Sequence, residues 1–206
     1  ESTDDVQVSA YGSSDPDGGV VSYSYEWTKD GQVQSNTSTL VPSSETLKNE
    51  EWHVSVLPFD GTAYGPAGEA SIVIRNAPPT VTAVTISPSN NVMSDDVLNC
   101  SASVYDPDES PSVVYEWTND GNFLASGDVV DLSLHSILPT SEIRCEVTAT
   151  DGEGAIGVDS SAINILNTNP VVDSIVITPD PIYADTFVTC VATASDLDGD
   201  SPFLTY

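Results

Sequence analysis

Apolar and polar positions alternate along most of this chain with a period of two. Leu98, Cys100, Ala102 and Val104 share one face of a run whose other face reads Asn99, Ser101 and Ser103. Val113, Tyr115 and Trp117 lie opposite Val114, Glu116 and Thr118; Ile143, Cys145, Val147 and Ala149 lie opposite Arg144, Glu146 and Thr148. Half-buried strands show this period, because successive side chains leave a pleated strand on opposite faces. Nearer the amino end, Val21, Tyr23, Tyr25 and Trp27 form one face of a strand, and Trp52, Val54 and Val56 one face of another. Val6, Val8 and Ala10 make a shorter run, set in register with the rest by a one-residue bulge before Asp15. Further strands are expected near Val81 to Ser87, Val97 to Tyr105, Ser112 to Thr118, Phe123, Val129 to Leu134, Ile143 to Thr150 and Ile156 to Leu166. Asn119-Asp120-Gly121 reads as the tight turn of a hairpin.

The pattern repeats. Asp15-Pro16-Asp17 returns as Asp106-Pro107-Asp108 and again as Asp196-Leu197-Asp198, at offsets of 91 and 90 residues. Tyr25-Glu26-Trp27-Thr28 returns as Tyr115-Glu116-Trp117-Thr118, Asp30-Gly31 as Asp120-Gly121, and Asp60-Gly61 as Asp151-Gly152. Asn76-Ala77-Pro78-Pro79 matches Asn167-Thr168-Asn169-Pro170. A period near 91 residues is the size of one sandwich domain. The expected divisions are 1–75, a domain without its first strand; 76–166, a complete domain; and 167–206, the amino-terminal part of a third. Tyr206 aligns with Tyr115, and Cys190 with Cys100, so Cys190 is expected to have no partner within this chain. The chain opens at Glu1 without an initiator Met and reads as a piece of a longer polypeptide.

Cys100, Trp117 and Cys145, each at the centre of an alternating run, resemble the core signature of an immunoglobulin-like sandwich. That resemblance implies a Cys100–Cys145 bridge between two sheets, packed on Trp117. Closing the loop from residue 100 to residue 145 is worth about 4 kcal/mol on the chain-entropy model. Val8 to Gly18, followed by Tyr25-Glu26-Trp27, is similar to PKD-type and related bacterial immunoglobulin-like repeats. The second and third repeats resemble the tandem repeats of very large surface proteins of Gram-negative bacteria. These share a D-x-D-x-D loop, a Y-x-W strand, a C-x-V-T-x-x-D-G segment and an N-x-x-P linker. The first repeat departs by lacking cysteines, and the second by having Ser110 where the third has Asp200. The fold class expected is all-β: tandem immunoglobulin-like β-sandwich domains in an elongated array.

Charge sharpens the picture. Four Lys and Arg stand against 32 Asp and Glu, a formal charge of −28. Such a surface repels nucleic acid and anionic membranes. No apolar run is long enough to span a bilayer, so direct membrane insertion is not expected. Asp196, Asp198 and Asp200 place carboxylates at alternate loop positions, a pattern suited to the oxygen-seeking calcium ion. Asp106 and Asp108 make a thinner version, and sandwich topology brings Asp151 and Glu153 of another loop to the same end. Asp95 and Asp96 are expected at the junction before the third repeat. Calcium is therefore the one cofactor considered; the plain alternative is a solvated turn capped by Asp. Only His53 and His135 are present, and neither has a nucleophile–base spacing. The reading is a non-enzymatic structural region of an extracellular or cell-surface bacterial protein, a fibre, stalk or adhesin. Its partners would be neighbouring domains and, in a fibre, other copies. The alternatives are a spacer or carbohydrate-binding module of a secreted hydrolase, and a filament subunit completed by neighbouring chains.

Overall fold

The computed structural model describes residues 1 to 205, so the alignment of Tyr206 with Tyr115 lies outside the described residues. The regular elements are nearly all strands: β1 (Val6–Gln7), β2 (Ser22–Lys29), β3 (Gln32–Val33), β4 (Leu40–Val41), β5 (Glu51–Phe59) and β6 (Gly68–Val73) build the first repeat. The second is built from β7 (Thr80–Ser87), β8 (Val97–Tyr105), β9 (Ser112–Asn119), β10 (Asn122–Ser126), β11 (Val129–Asp131), β12 (Glu142–Thr150) and β13 (Ile156–Asn164). After these come β14 (Val171–Thr178) and β15 (Thr189–Ser195). By compactness the chain forms two units. One comprises Glu1–Pro79 with the loops Tyr105–Pro111 and Thr150–Ile156; the other holds Thr80–Val104, Ser112–Ala149 and the chain from Gly157 onward.

In the first unit a four-stranded sheet, ordered β3-β2-β5-β6, faces the pair β1-β4. The alternating faces read from the sequence close the core: Trp27, Val41, Trp52, Val54 and Ile74 are buried, and Val6, Val8, Tyr25 and Val56 pack against them. No cysteine lies here. Trp27 and Trp52 meet edge to face instead, with ring centroids 6.2 Å apart, a geometry that suits the ring quadrupoles. Each indole N–H finds an acceptor, Trp27 Nε1 on the Ser38 carbonyl at 2.9 Å and Trp52 Nε1 on Glu50 at 3.1 Å.

In the second unit the sheet β11-β8-β7 faces the sheet β10-β9-β12-β13. The Cys100–Cys145 disulfide joins β8 to β12 across the two. Trp117, Leu98, Ile143, Cys145 and Val147 are wholly buried beside it. This is an all-β immunoglobulin-like sandwich. β14 and β15 pair with each other, and every residue of β14 is exposed. Cys190, on β15, is exposed and free.

The turns follow from the sequence as well. Asp30-Gly31 and Asp120-Gly121 both take positive φ at both positions, the hairpin geometry for which glycine and aspartate are suited. In each, the aspartate side chain also accepts the next long strand's first N–H, Glu51 or Glu142, at 2.9 Å. One strand is shorter than expected. The run from Val129 leaves the sheet after Asp131, whose carboxylate accepts the Ser133 N–H and starts a single 3-10 turn over Leu132–Leu134. Leu132 is still buried by that turn, so apolar pattern alone reads straight through it.

Trp117→Ala should remove about 3–5 kcal/mol from the second unit. His53→Ala, on a side chain 37% exposed, should stay within about 0.5 kcal/mol. Chemical denaturation of both variants measures this, and the reverse ranking would mean the inward register is wrong. Thiol titration of the denatured, unreduced chain should find Cys190 alone reactive.

Candidate functional site

The acidic loops hold the linkers. In the first unit Asp106 opens its loop by accepting the N–H groups of Asp108 and Glu109 at 2.8 and 3.1 Å through Oδ1. That Asx turn aims Asp108 at the linker, where its Oδ2 accepts from the Ala77 N–H and the Ser2 hydroxyl, both at 2.8 Å. Ser2 and Ala77 are both buried, so these donors need an acceptor inside the protein. A carboxylate supplies a stronger bond than a neutral oxygen would.

The arrangement recurs in the second unit. Asp196 Oδ1 accepts the Asp198 N–H at 2.9 Å. Asp198 Oδ2 then takes the Thr168 N–H at 2.6 Å and the Thr168 hydroxyl at 2.7 Å. Its Oδ1 takes the hydroxyl of Ser94. Thr168 follows the linker Asn167 as Ala77 follows Asn76, and Ser94 plays the part of Ser2. Asp198 is itself buried. Burial pushes its carboxyl up, but the bonds from Ser94 and Thr168 outweigh this and hold it below the ordinary value of 3.8.

A second acidic loop meets the first linker. Asp151, buried, accepts the Asn76 amide at 2.6 Å and the N–H groups of Glu153 and Ala155 at 3.0 and 2.7 Å. Its carboxyl too is pushed up by burial and drawn lower on balance by the Asn76 amide and the loop N–H groups. Glu109 accepts the Gly152 N–H at 2.9 Å. A side chain at Gly152 would press on that carboxylate, since its Cβ would lie 3.1 Å from a Glu109 oxygen.

Lys48 completes this cluster. Its Nζ donates to Glu153 at 2.9 Å, to Glu109 at 3.4 Å and to Asn76 Oδ1 at 3.1 Å. The Glu153 carboxylate is the main reason that its ammonium titrates above the ordinary 10.5. Lys48 has no motif of its own in the sequence. The only hint was its rarity, one of four basic residues in the chain.

The calcium candidates are thus distributed as follows. Among the described residues, one group of three acids brings ligand oxygens within 4.8 Å of one another: Glu109, Asp151 and Glu153. Of these, Asp151 and Glu153 follow from the sequence reading, and Glu109 does not. Asp106, Asp108, Asp196 and Asp198 are engaged as loop and linker acceptors. Asp200 is exposed. Asp95 is exposed, and Asp96 accepts the Met93 N–H at 2.8 Å. Asp106 keeps its other oxygen, Oδ2, buried without a hydrogen-bond partner.

No protein-family model matches the chain, and no curated protein matches it. Solved structures similar to it include the three N-terminal domains of the highly immunogenic outer capsid protein (Hoc) of bacteriophage RB49. The identity is 14% over 89% of this chain and 61% of that one, with a TM-score of 0.36. Fibronectin(III)-like modules of CbhA from Clostridium thermocellum match at 15% identity over 69% of this chain and 77% of that one, TM-score 0.32. The eight N-terminal Ig domains of the Down syndrome cell adhesion molecule match at 11% over 85% and 26%, TM-score 0.37. The chain spans about three-fifths of the length of the Hoc fragment. All three are all-β modules of immunoglobulin or fibronectin type, and at these identities the likeness concerns the fold alone.

Two measurements test the clamp. A carboxyl held low in the folded state stabilises it above the ordinary value of 3.8 and loses that contribution as pH falls below it. Asp198→Asn should therefore melt lower than the parent at about pH 6, and the gap should narrow as pH falls below 3.8 through the lowered carboxyl. Lys48→Met should lower the melting temperature in dilute buffer. Part of that loss should vanish in about 1 M NaCl, where the Debye length is about 3 Å. A gap independent of salt would assign Lys48 to packing rather than charge.

Proposed function

We propose that this chain is a non-enzymatic structural region of an extracellular, surface-anchored bacterial protein, a stalk or adhesin-type fibre built from PKD-like repeats. The observation that carries the reading is the repeated clamp. Asp108 and Asp198, at equivalent positions, both spend their carboxylates on a linker N–H and a serine hydroxyl. Acidic residues used in this way are structural. Asp108 Oδ2 and both oxygens of Asp198 accept from backbone N–H and hydroxyl donors. The disulfide supports an oxidising compartment. No helix among the described residues is long and apolar enough to cross a membrane, and the excess of acid suits a solvated surface.

Calcium belongs to this proposal as an addition to the clamp. The Glu109, Asp151 and Glu153 oxygens and the unpartnered Oδ2 of Asp106 favour a hard cation at the first linker. It would have to displace or join the Lys48 ammonium there. A rise in melting temperature with calcium that a chelator reverses adds the metal to the clamp. An indifferent melting curve leaves hydrogen bonds and Lys48 to hold the linker alone.

Amide hydrogen exchange tests the reading as a whole. Peptides covering 76–79 and 167–170 should exchange slowly in the parent chain. In Asp108→Ala and Asp198→Ala they should exchange faster, while the strands around Trp27 and Trp117 stay protected. Linkers that exchange at the same rate in parent and variants would sink the clamp. Specific binding on a glycan array would favour the hydrolase-module alternative.

A further inference from the structure

The turn that leads into β5 has the same backbone as the turn that leads into β12, yet one position differs in charge. The Glu50 N–H donates to the Leu47 carbonyl and the Ser141 N–H to the Leu138 carbonyl, both at 3.2 Å. Asn49 and Thr140 both sit at φ 72° and donate to the Ile74 and Ile165 carbonyls, both at 2.8 Å. Lys48 precedes Asn49 as Pro139 precedes Thr140. The backbone of this turn accepts either residue, so the fold of the turn does not call for the ammonium.

The acids that Lys48 meets are equally particular to one repeat. Glu109 follows Asp108, whereas Gly18 follows Asp17 and Gly199 follows Asp198. Glu153 comes after Asp151-Gly152, where the first repeat has Thr62 after Asp60-Gly61. The loop itself does not need the glutamate, because the Asp196–Asp198 turn closes at 2.9 Å with Gly199 next to it. Of the three Asp-x-Asp loops, one runs on into a glutamate, and it belongs to the repeat that comes after Lys48. The repeat that comes after Pro139 has Gly199 there. Charge at the turn and charge on the loop of the following repeat thus change together. Within the first unit the pairing is direct: the Lys48 Nζ lies 2.9 Å from Glu153 and 3.4 Å from Glu109.

We propose that Lys48 with Glu109 and Glu153 forms a sorting key between successive repeats. The surface around Lys48 takes as its partner a following immunoglobulin-like repeat with carboxylates at these two loop positions. Behind an uncharged turn of the Pro139 kind, the same two carboxylates would crowd Asp151 with no cation in reach. Specificity of this sort comes as much from repulsion in the wrong pair as from attraction in the right one. Neighbouring domains of similar sequence are prone to misassembly, and a key of this kind holds them in order. The inference rests on the repeats and their linker contacts and not on the stalk reading, since a spacer built of such repeats needs the same order.

The test follows exchange of the Ala77 amide by NMR in the whole chain; Asn76, the residue before it, accepts from Lys48 at 3.1 Å. Lys48→Pro, the residue the second repeat carries, should hasten that exchange by about tenfold. Lys48→Gln, which removes the charge without adding a ring, should act in the same direction. Glu109→Gln keeps an oxygen for the Gly152 N–H and removes only the charge. Its effect should change sign: faster exchange with Lys48 in place, slower exchange in the Lys48→Pro and Lys48→Gln backgrounds. Unchanged fluorescence of Trp27 and Trp52 reports an intact core. The key is overturned if Glu109→Gln moves the exchange in the same direction in all three backgrounds. An Ala77 amide equally protected in every variant also overturns it, while leaving the Asp108 clamp in place.

Discussion

Thirty-two carboxylates have to be placed in a chain with four basic side chains, and this constraint shapes many of the loops. Paired cations cannot neutralise them. Many are instead turned onto backbone N–H groups, which carry partial positive charge wherever a turn leaves them unpaired. Asp15, Asp60, Asp106, Asp131 and Asp151 each accept N–H groups within two to four residues and set the local bend. Asp30 and Asp120, each in a hairpin turn, do so for the first N–H of the neighbouring strand, β5 or β12. Once the first aspartate of the Asp-Pro-Asp loop bonds its own turn, the second is aimed outward from it and can reach a linker. The clamp is therefore an extension of loop folding, and its acidity is a consequence of using carboxylates as the standard turn acceptor.

The two sandwiches show how far core chemistry can vary under one pattern of alternation. Val54 stands where the second repeat has Cys145, and no covalent bridge is possible. The first repeat instead places a second tryptophan, Trp52, on the same strand, and the edge-to-face contact with Trp27 fills the space between sheets. Apolar volume at the strand centres is the common requirement; the bridge adds loop-closure entropy to it.

What could be read from the sequence divides along the range of the interactions. Strands β7, β8, β9, β12 and β13 fall within a residue or two of their expected bounds, because period-two alternation is a local property expressed by every strand that buries one face. The Asp-Gly turns are local in the same sense. The end of β11 was missed because one side chain, Asp131, redirects the backbone while the apolar pattern continues through Leu132. At the linkers the sequence identified the right loops through Asp108, Asp151 and Asp198. Asp95 and Asp96 drew attention by charge, whereas Ser2, Ser94 and Thr168, with ordinary hydroxyls, make the contacts. A hydroxyl donor carries no compositional signal in a chain rich in serine and threonine, so only the fold could select among them.

Lys48 illustrates how a single charge gains weight in such surroundings. On an ordinary surface, a lysine between two glutamates contributes little, because solvent screens it and its side chain must be ordered. Here the side chain is only 16% exposed, and Asn76, itself bonded to Asp151, fixes one of its three donor directions. The same ammonium thus meets Glu109, Glu153 and the linker at once. Removing it would leave three carboxylate groups facing one another with no cation in reach of all three, a repulsion that can be relieved only by proton uptake, by loop movement or by capture of a metal. The sequence position of Lys48, three residues before the strand carrying Trp52 and Val54, ties that electrostatic balance to the core of the first sandwich.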